Sequence, residues 1–192
     1  KKVSYLEAMD NAAPEGLTLQ AFKEQLGLIG ASISVAADSK SLTIAVQGLE
    51  EHYAATIDYL QRFLASAHLD KQEKETVIRN AQAAWKVQRK SAEFQVEALE
   101  EYARRGKGSS YLQSATFKEL RSTPPSRFDS IFQDALAYPC DVYYVGRKSA
   151  DELVADCQRI LPKVQNAAVA PQKEEWQPTE DVDILFFANK KA

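Results

Sequence analysis

The sequence predicts an α+β fold, an antiparallel sheet with helices packed mainly on one face. First, ASISVAADSKSLTIAVQ (residues 31–47) contains two stretches in which apolar and polar residues alternate. Ile33 and Val35 share one face of the first stretch; Leu42, Ile44 and Val46 share one face of the second. That period of two is the pattern of half-buried strands. Asp38, Ser39 and Lys40 interrupt it and supply a short polar turn. Second, a helical pattern stands on each side of the hairpin, LTLQAFKEQLG before it and GLEEHYAATIDYLQRFLASA after it. In the latter, Leu49, Tyr53, Ile57, Leu60 and Leu64 recur at spacings of three and four, a stripe able to cover one sheet face. Third, most of the chain from Lys71 to Leu161 also reads as helix, enough to complete a layer on that sheet.

In chain order, Val3 to Met9 reads as the tail of a helix that ends in the turn-prone run Asn11 to Gly16. Thr18 is placed to cap the next helix, whose stripe is Leu19, Phe22, Leu26 and Ile29; Gly27 and Gly30 close it. After Leu69-Asp70 a helical region runs from about Lys71 to Arg105. Its first part lines up Val77, Ile78, Ala81, Ala84 and Trp85, its second Phe94, Ala98 and Tyr102. The charges among them read as a solvated face with same-helix pairs. Gly106 to Ser110 reads as a loop and Ala115 to Arg121 as a short helix. Thr123-Pro124 reads as a cap followed by proline at the first helical position, opening a helix with Phe128, Ile131, Phe132, Ala135 and Leu136 at core spacing. Asp141 to Val145 (DVYYV) reads as a short buried strand. Ser149 and Glu152 form a capping box ahead of a helix bearing Leu153, Val154, Cys157, Ile160 and Leu161, which Pro162 stops. Residues 1–162 form the expected domain. Residues 163–192 read as a linker or arm followed by a final strand-like run, Val182 to Phe187 (VDILFF), which either completes the sheet or opens a further domain.

The chain has 192 residues, 45% of them hydrophobic and 27% charged, which suits one substantial domain with its own core. A formal net charge of -3 leaves no electrostatic footprint for nucleic acid. The longest apolar runs are far short of a membrane span. No signal-peptide pattern follows Lys1-Lys2, and the chain begins without Met, in what reads as the middle of an element. It therefore reads as a piece of a longer protein, and the sequence does not choose between a periplasmic and a cytoplasmic setting.

The search for reactive groups finds little. There is no H-x-x-E-H or H-E-x-x-H, no P-loop, no G-x-G-x-x-G and no G-x-S-x-G. His52 and His68, the only histidines, read as lying on the helix after the hairpin, about 24 Å apart at 1.5 Å per residue and too distant to share a metal. Cys140 and Cys157 both sit in apolar patterns and read as buried free thiols, with a disulfide as the alternative in an oxidising compartment. Glu50-Glu51 suits the positive end of a helix. Glu174-Glu175 is a second acidic pair. Arg104, Arg105 and Lys107 read as completing a helix C-terminus.

Three segments, in this order, nevertheless resemble a half-domain of the pitrilysin/insulinase (inverted-zincin) zinc metallopeptidases: LG-x-x-GASISV, SLTIAVQGLEE and CDVYYVGRKSADEL. The resemblance covers roughly Val3 to Leu161. It implies an α+β half-domain that joins others to enclose peptides, in a family where one half-domain carries zinc on an H-x-x-E-H helix with a more distant glutamate. In this chain Ser4 and Ala8 stand where the histidines would fall, Glu7 alone matches, and the distant glutamate would fall near Asn80 or Ala81. The substrate-holding R-x-x-G-L-x-Y pattern is also absent from QLGLIGAS.

The resulting expectation is a non-catalytic structural or substrate-chamber half-domain of a zinc metallopeptidase. It has no catalytic or metal residues and no cofactor of its own, and zinc is expected in a catalytic half-domain elsewhere. Its partners would be other half-domains or a homologous subunit, with peptide as possible substrate and substrate-binding residues unassigned. The alternative is a catalytically inactive scaffold or partner subunit mediating protein–protein interaction. A third reading is an unrelated α+β domain with the same order of elements.

Overall fold

A computed structural model of the chain describes residues 2–168. The observed architecture is α+β. Helix α1 (Lys2–Ala8) runs into a 3-10 turn (Met9–Asn11) and a two-residue strand, β1 (Ala13–Pro14). Helix α2 (Leu19–Leu28) starts where expected, with the Thr18 side chain accepting from the Ala21 amide at 3.1 Å. It stops at Gly30, whose φ of +62° is left-handed, and where a side chain would also strike Leu49.

The hairpin follows, β2 (Ser32–Ala37) and β3 (Leu42–Gln47), antiparallel with Ile33 opposite Val46, Val35 opposite Ile44 and Ala37 opposite Leu42. The Asp38 carboxylate accepts from the Lys40 and Ser41 amides and fixes the turn. These hydrogen bonds hold the Asp38 carboxyl below its ordinary value. Helix α3 (Tyr53–Ser66) comes after a 3-10 turn (Glu50–His52) and leads into β4 (Ala67–His68). β4 pairs with β1, so among the described residues the sheet component is two separate two-stranded ladders. The β1–β4 ladder is too short to leave an alternation in the sequence.

The helical region after Asp70 is two helices, α4 (Lys71–Gln88), capped by Asp70, and α5 (Ala92–Arg105), capped by Ser91. The Ser91 hydroxyl accepts from the Phe94 amide at 3.1 Å, which is why the helix restarts there. Where a loop was expected after Gly106, there is a 3-10 turn followed by α6 (Ser110–Gln113). Helix α7 (Phe117–Ser122) opens with a Thr116–Glu119 capping box. Helix α8 (Pro125–Leu136) has Pro125 at its first position and Pro124 as cap; Thr123 instead ends α7. Two adjacent prolines made the start one residue ambiguous. Helix α9 (Ala150–Ile160) opens with the expected box between Ser149 and Glu152.

The core is aromatic. Phe63 stacks on Phe22 and meets Phe132 edge-on, each at 5.8 Å between centroids, and Tyr5 meets Phe128 at 4.9 Å. Burying each such ring contributes on the order of 2 kcal/mol. The inner face of the hairpin, Ile33, Val35, Ala37, Leu42 and Ile44, packs against this cluster. Ser32, Ser34, Ala36, Thr43, Ala45 and Gln47 on the other face are exposed, so helices cover one side only.

The expected burial of residues 140–145 fails. Asp141–Val145 is not a strand among the described residues, and it is exposed rather than buried. Composition supplies strand propensity, but a strand needs a ladder, and no described strand pairs with this segment. Cys140, at its head, is exposed for the same reason, while Cys157 is half-buried; both are free thiols. The expected final strand, Val182–Phe187, lies outside the described residues, as do Glu174-Glu175 and most of the expected linker.

Candidate functional site

The best-defined binding geometry is the outer edge of β3. In an antiparallel pair, opposed residues alternate between bonding each other and pointing their backbone groups outward. The Asp38 amide donates to the Ser41 carbonyl at 2.9 Å, which makes that a bonded pair. Counting along the ladder, the Ala37–Leu42, Val35–Ile44 and Ile33–Val46 pairs point outward. An independent observation agrees: the Val35 amide donates away from β3, to Asp10 Oδ1 at 2.8 Å.

The two edges therefore differ. The β2 edge is covered by α1 and the turn that carries Asp10. On the β3 edge, the outward amides and carbonyls of Leu42, Ile44 and Val46 have no backbone partner among the described residues. β3 carries no charge, no proline and no bulge, the devices that usually blunt a free edge. Beside it, the exposed face of the hairpin is uncharged throughout.

The candidate residues of the sequence are dispersed. Ser4, Glu7 and Ala8 lie on α1, with Ala8 buried and Glu7 exposed. Partial desolvation raises the Glu7 carboxyl above its ordinary value. Asn80 and Ala81 are exposed on α4. The histidines are not on the helix itself: His52 lies in the 3-10 turn before α3 and His68 in β4. His68 Nδ1 is 2.7 Å from Asp129 Oδ2, and Asp129 Oδ1 accepts from the Leu69 amide, so His68 fastens β4 to α8. Among the described residues, no group of three or more His, Cys, Asp or Glu side chains is placed to hold a metal ion. Arg104 and Arg105 pair with Glu100 and Glu101 one turn back at the end of α5.

Sequence reasoning passed over three polar groups that hold the framework. Asp10 is one. Lys74, only 6% exposed, donates from Nζ to the carbonyls of Arg121 at 2.9 Å and Thr123 at 2.7 Å, closing the C-terminal end of α7. Its signal was present: Lys74 shares the apolar stripe of Val77 and Ile78 at spacings of three and four. Tyr53 donates to Asp156 Oδ2 at 2.9 Å, joining α3 to α9; burial and then that carboxylate push the phenol pKa far up. Burial likewise raises the Cys157 thiol, with Cys140 and Asp156 adding to the effect.

No protein-family model and no curated protein matches the sequence. Among solved structures, the chain is similar to a mutant of the ferredoxin protease FusC, crystallised in complex with Arabidopsis ferredoxin. The TM-score is 0.73 at 13% identity, covering 92% of this chain and 20% of that one. This chain thus spans a fifth of that protease's length. At this identity the likeness shows the fold alone.

Proposed function

We propose that this chain is a non-catalytic half-domain of a pitrilysin-type zinc peptidase, forming part of a peptide chamber and taking extended peptide along β3. The observation that carries the reading is the β3 edge, which has no backbone partner among the described residues. Leu42, Ile44 and Val46 present donors and acceptors that an added strand can satisfy, next to an uncharged face that does not select for side chains. The fold shared with a segment of a ferredoxin protease supports the peptidase setting. In this reading zinc is held by another half-domain, and Glu7 has no metal-bound water to activate.

The test measures metal content, peptide hydrolysis and amide hydrogen exchange on the purified chain. Added unfolded polypeptide should slow exchange at Leu42, Ile44 and Val46, while Thr43 and Ala45, already bonded within the hairpin, change little. Stoichiometric tight zinc with hydrolysis would overturn the reading, as would binding that leaves those three amides untouched.

A further inference from the structure

Residues 76–92, the distal part of α4 and its turn into α5, hold the cations Arg79, Lys86, Arg89 and Lys90 and no acid, in a chain whose formal net charge is -3. Same-helix ion pairs form at the end of α5, Arg104 with Glu100 and Arg105 with Glu101. None of the α4 cations makes an ion pair among the described residues. Arg79 donates to the neutral Thr76 hydroxyl at 3.3 Å, and Arg89 lies over the Trp85 ring at 4.8 Å. Glu75, the acid just before this stretch, is held by Arg121 at 3.2 Å. All four cations are exposed, as are Trp85 at 41% and Val87 at 73%.

At 3.6 residues per turn, Arg79, Lys86 and Lys90 fall along one row. The amides of Arg89 and Lys90 still donate back to the Trp85 and Val87 carbonyls, which carries the row past the helix end. Trp85 and Arg89 form the neighbouring row on one side, and Val87 stands on the other. The row from Arg79 to Lys90 is about 16 Å long, the reach of roughly five extended residues. The helix dipole accounts for Lys86, in the last turn, but its effect fades within that turn, and Arg79 lies nine residues before the end of α4.

We propose that this face of α4 docks an acidic polypeptide segment, its carboxylates on the cation row and its apolar side chains against Trp85 and Val87. Charge complementarity selects the occupant. A planar anionic surface broad enough to cover the elbow would also meet Glu93, Glu97 and Glu100 of α5, whereas a single extended segment lying along α4 meets cations alone. The surface is on a different element from the β3 edge and does not depend on peptide binding there.

The test titrates the full chain with the blocked peptide Glu-Leu-Glu-Leu-Glu-Leu, following backbone amide shifts by NMR. Shifts should concentrate at residues 79–90, and added salt should weaken binding. Lys86→Glu with Lys90→Glu should weaken it at least ~10-fold. Lys23→Glu with Lys163→Glu, the same change of net charge at exposed sites elsewhere, should leave it nearly unchanged. Equal weakening by both pairs reduces the effect to overall charge and overturns the proposal. So does stronger binding to phosphatidylserine vesicles or to a thymidine oligonucleotide than to the peptide. Shifts confined to Leu42, Ile44 and Val46 overturn it while leaving the β3 reading standing, and absence of shifts at 79–90 overturns it outright. If a charge-reversal variant fails to fold, the wild-type shift map and its salt dependence decide.

Discussion

Asp10 accepts a hydrogen bond from the Val35 amide at 2.8 Å, and this one contact distinguishes the two edges of the hairpin. The carboxylate occupies the place of a neighbouring strand on β2, while β3 has no such cover among the described residues. Asp10→Ala leaves a partly buried amide without its partner. It should destabilise the chain by about 1–3 kcal/mol, read from urea unfolding, and should speed exchange at Val35 selectively.

Lys74 makes a sharper case. Lys74→Met keeps the length and the apolar stem but leaves the carbonyls of Arg121 and Thr123 without their donor. Loss of about 2–4 kcal/mol is expected, the sum of two charge-assisted bonds less the desolvation of the ammonium. Lys74→Arg should not rescue it, because the larger guanidinium has to enter the same buried site. Equilibrium unfolding of the two variants beside wild type checks both statements.

Phe63 touches two other aromatic rings at once, Phe22 and Phe132. Phe63→Ala should cost about 3–5 kcal/mol through lost burial and the cavity left behind. Phe63→Leu, which retains most of the volume, should cost clearly less. Thermal unfolding of the pair distinguishes a packing role from a general intolerance of substitution.

Tyr53→Phe removes only the hydroxyl that donates to Asp156. About 1 kcal/mol of destabilisation is expected, and the loss should appear as faster exchange in α9, with the core of α3 unchanged. Because the phenol pKa is raised, the wild-type bond should also persist through alkaline pH, where an ordinary tyrosine ionises. A UV titration of the phenolate reads this directly.

The box at α9 predicts an acid transition. Bonds from the Ser149 amide and hydroxyl, then Lys148, lower the Glu152 pKa from 4.5 to about 2. A carboxyl whose folded pKa is depressed contributes stability above its unfolded value and loses it as pH falls through the folded value. The α9 contribution should therefore be complete above about pH 5 and disappear between roughly pH 4.5 and 2. Glu152→Gln should remove most of that dependence. Amide exchange in α9 against pH, with and without the substitution, is the measurement.

Much of the framework was legible because it is written in short-range chemistry. The alternation of Ile33, Val35, Leu42, Ile44 and Val46 matched the observed hairpin face, and Thr18 and the Ser149–Glu152 box capped the helices expected of them. The failures share a cause. DVYYV and Cys140 read as interior on their own apolar character, yet burial of a strand depends on a partner that local pattern does not specify. Lys74 was passed over because charge ordinarily marks a solvated face, and its buried partners lie 47 and 49 residues away.

By itself, then, the sequence determined which hairpin residues alternate and where α2 and α9 begin, since periodicity and capping act over a few residues. Only the tertiary structure decided which hairpin edge has no partner among the described residues, that Lys74 is buried, and that Asp141–Val145 forms no strand there. Those outcomes rest on contacts between distant residues, and hydrogen-bond satisfaction has no local signature along the chain.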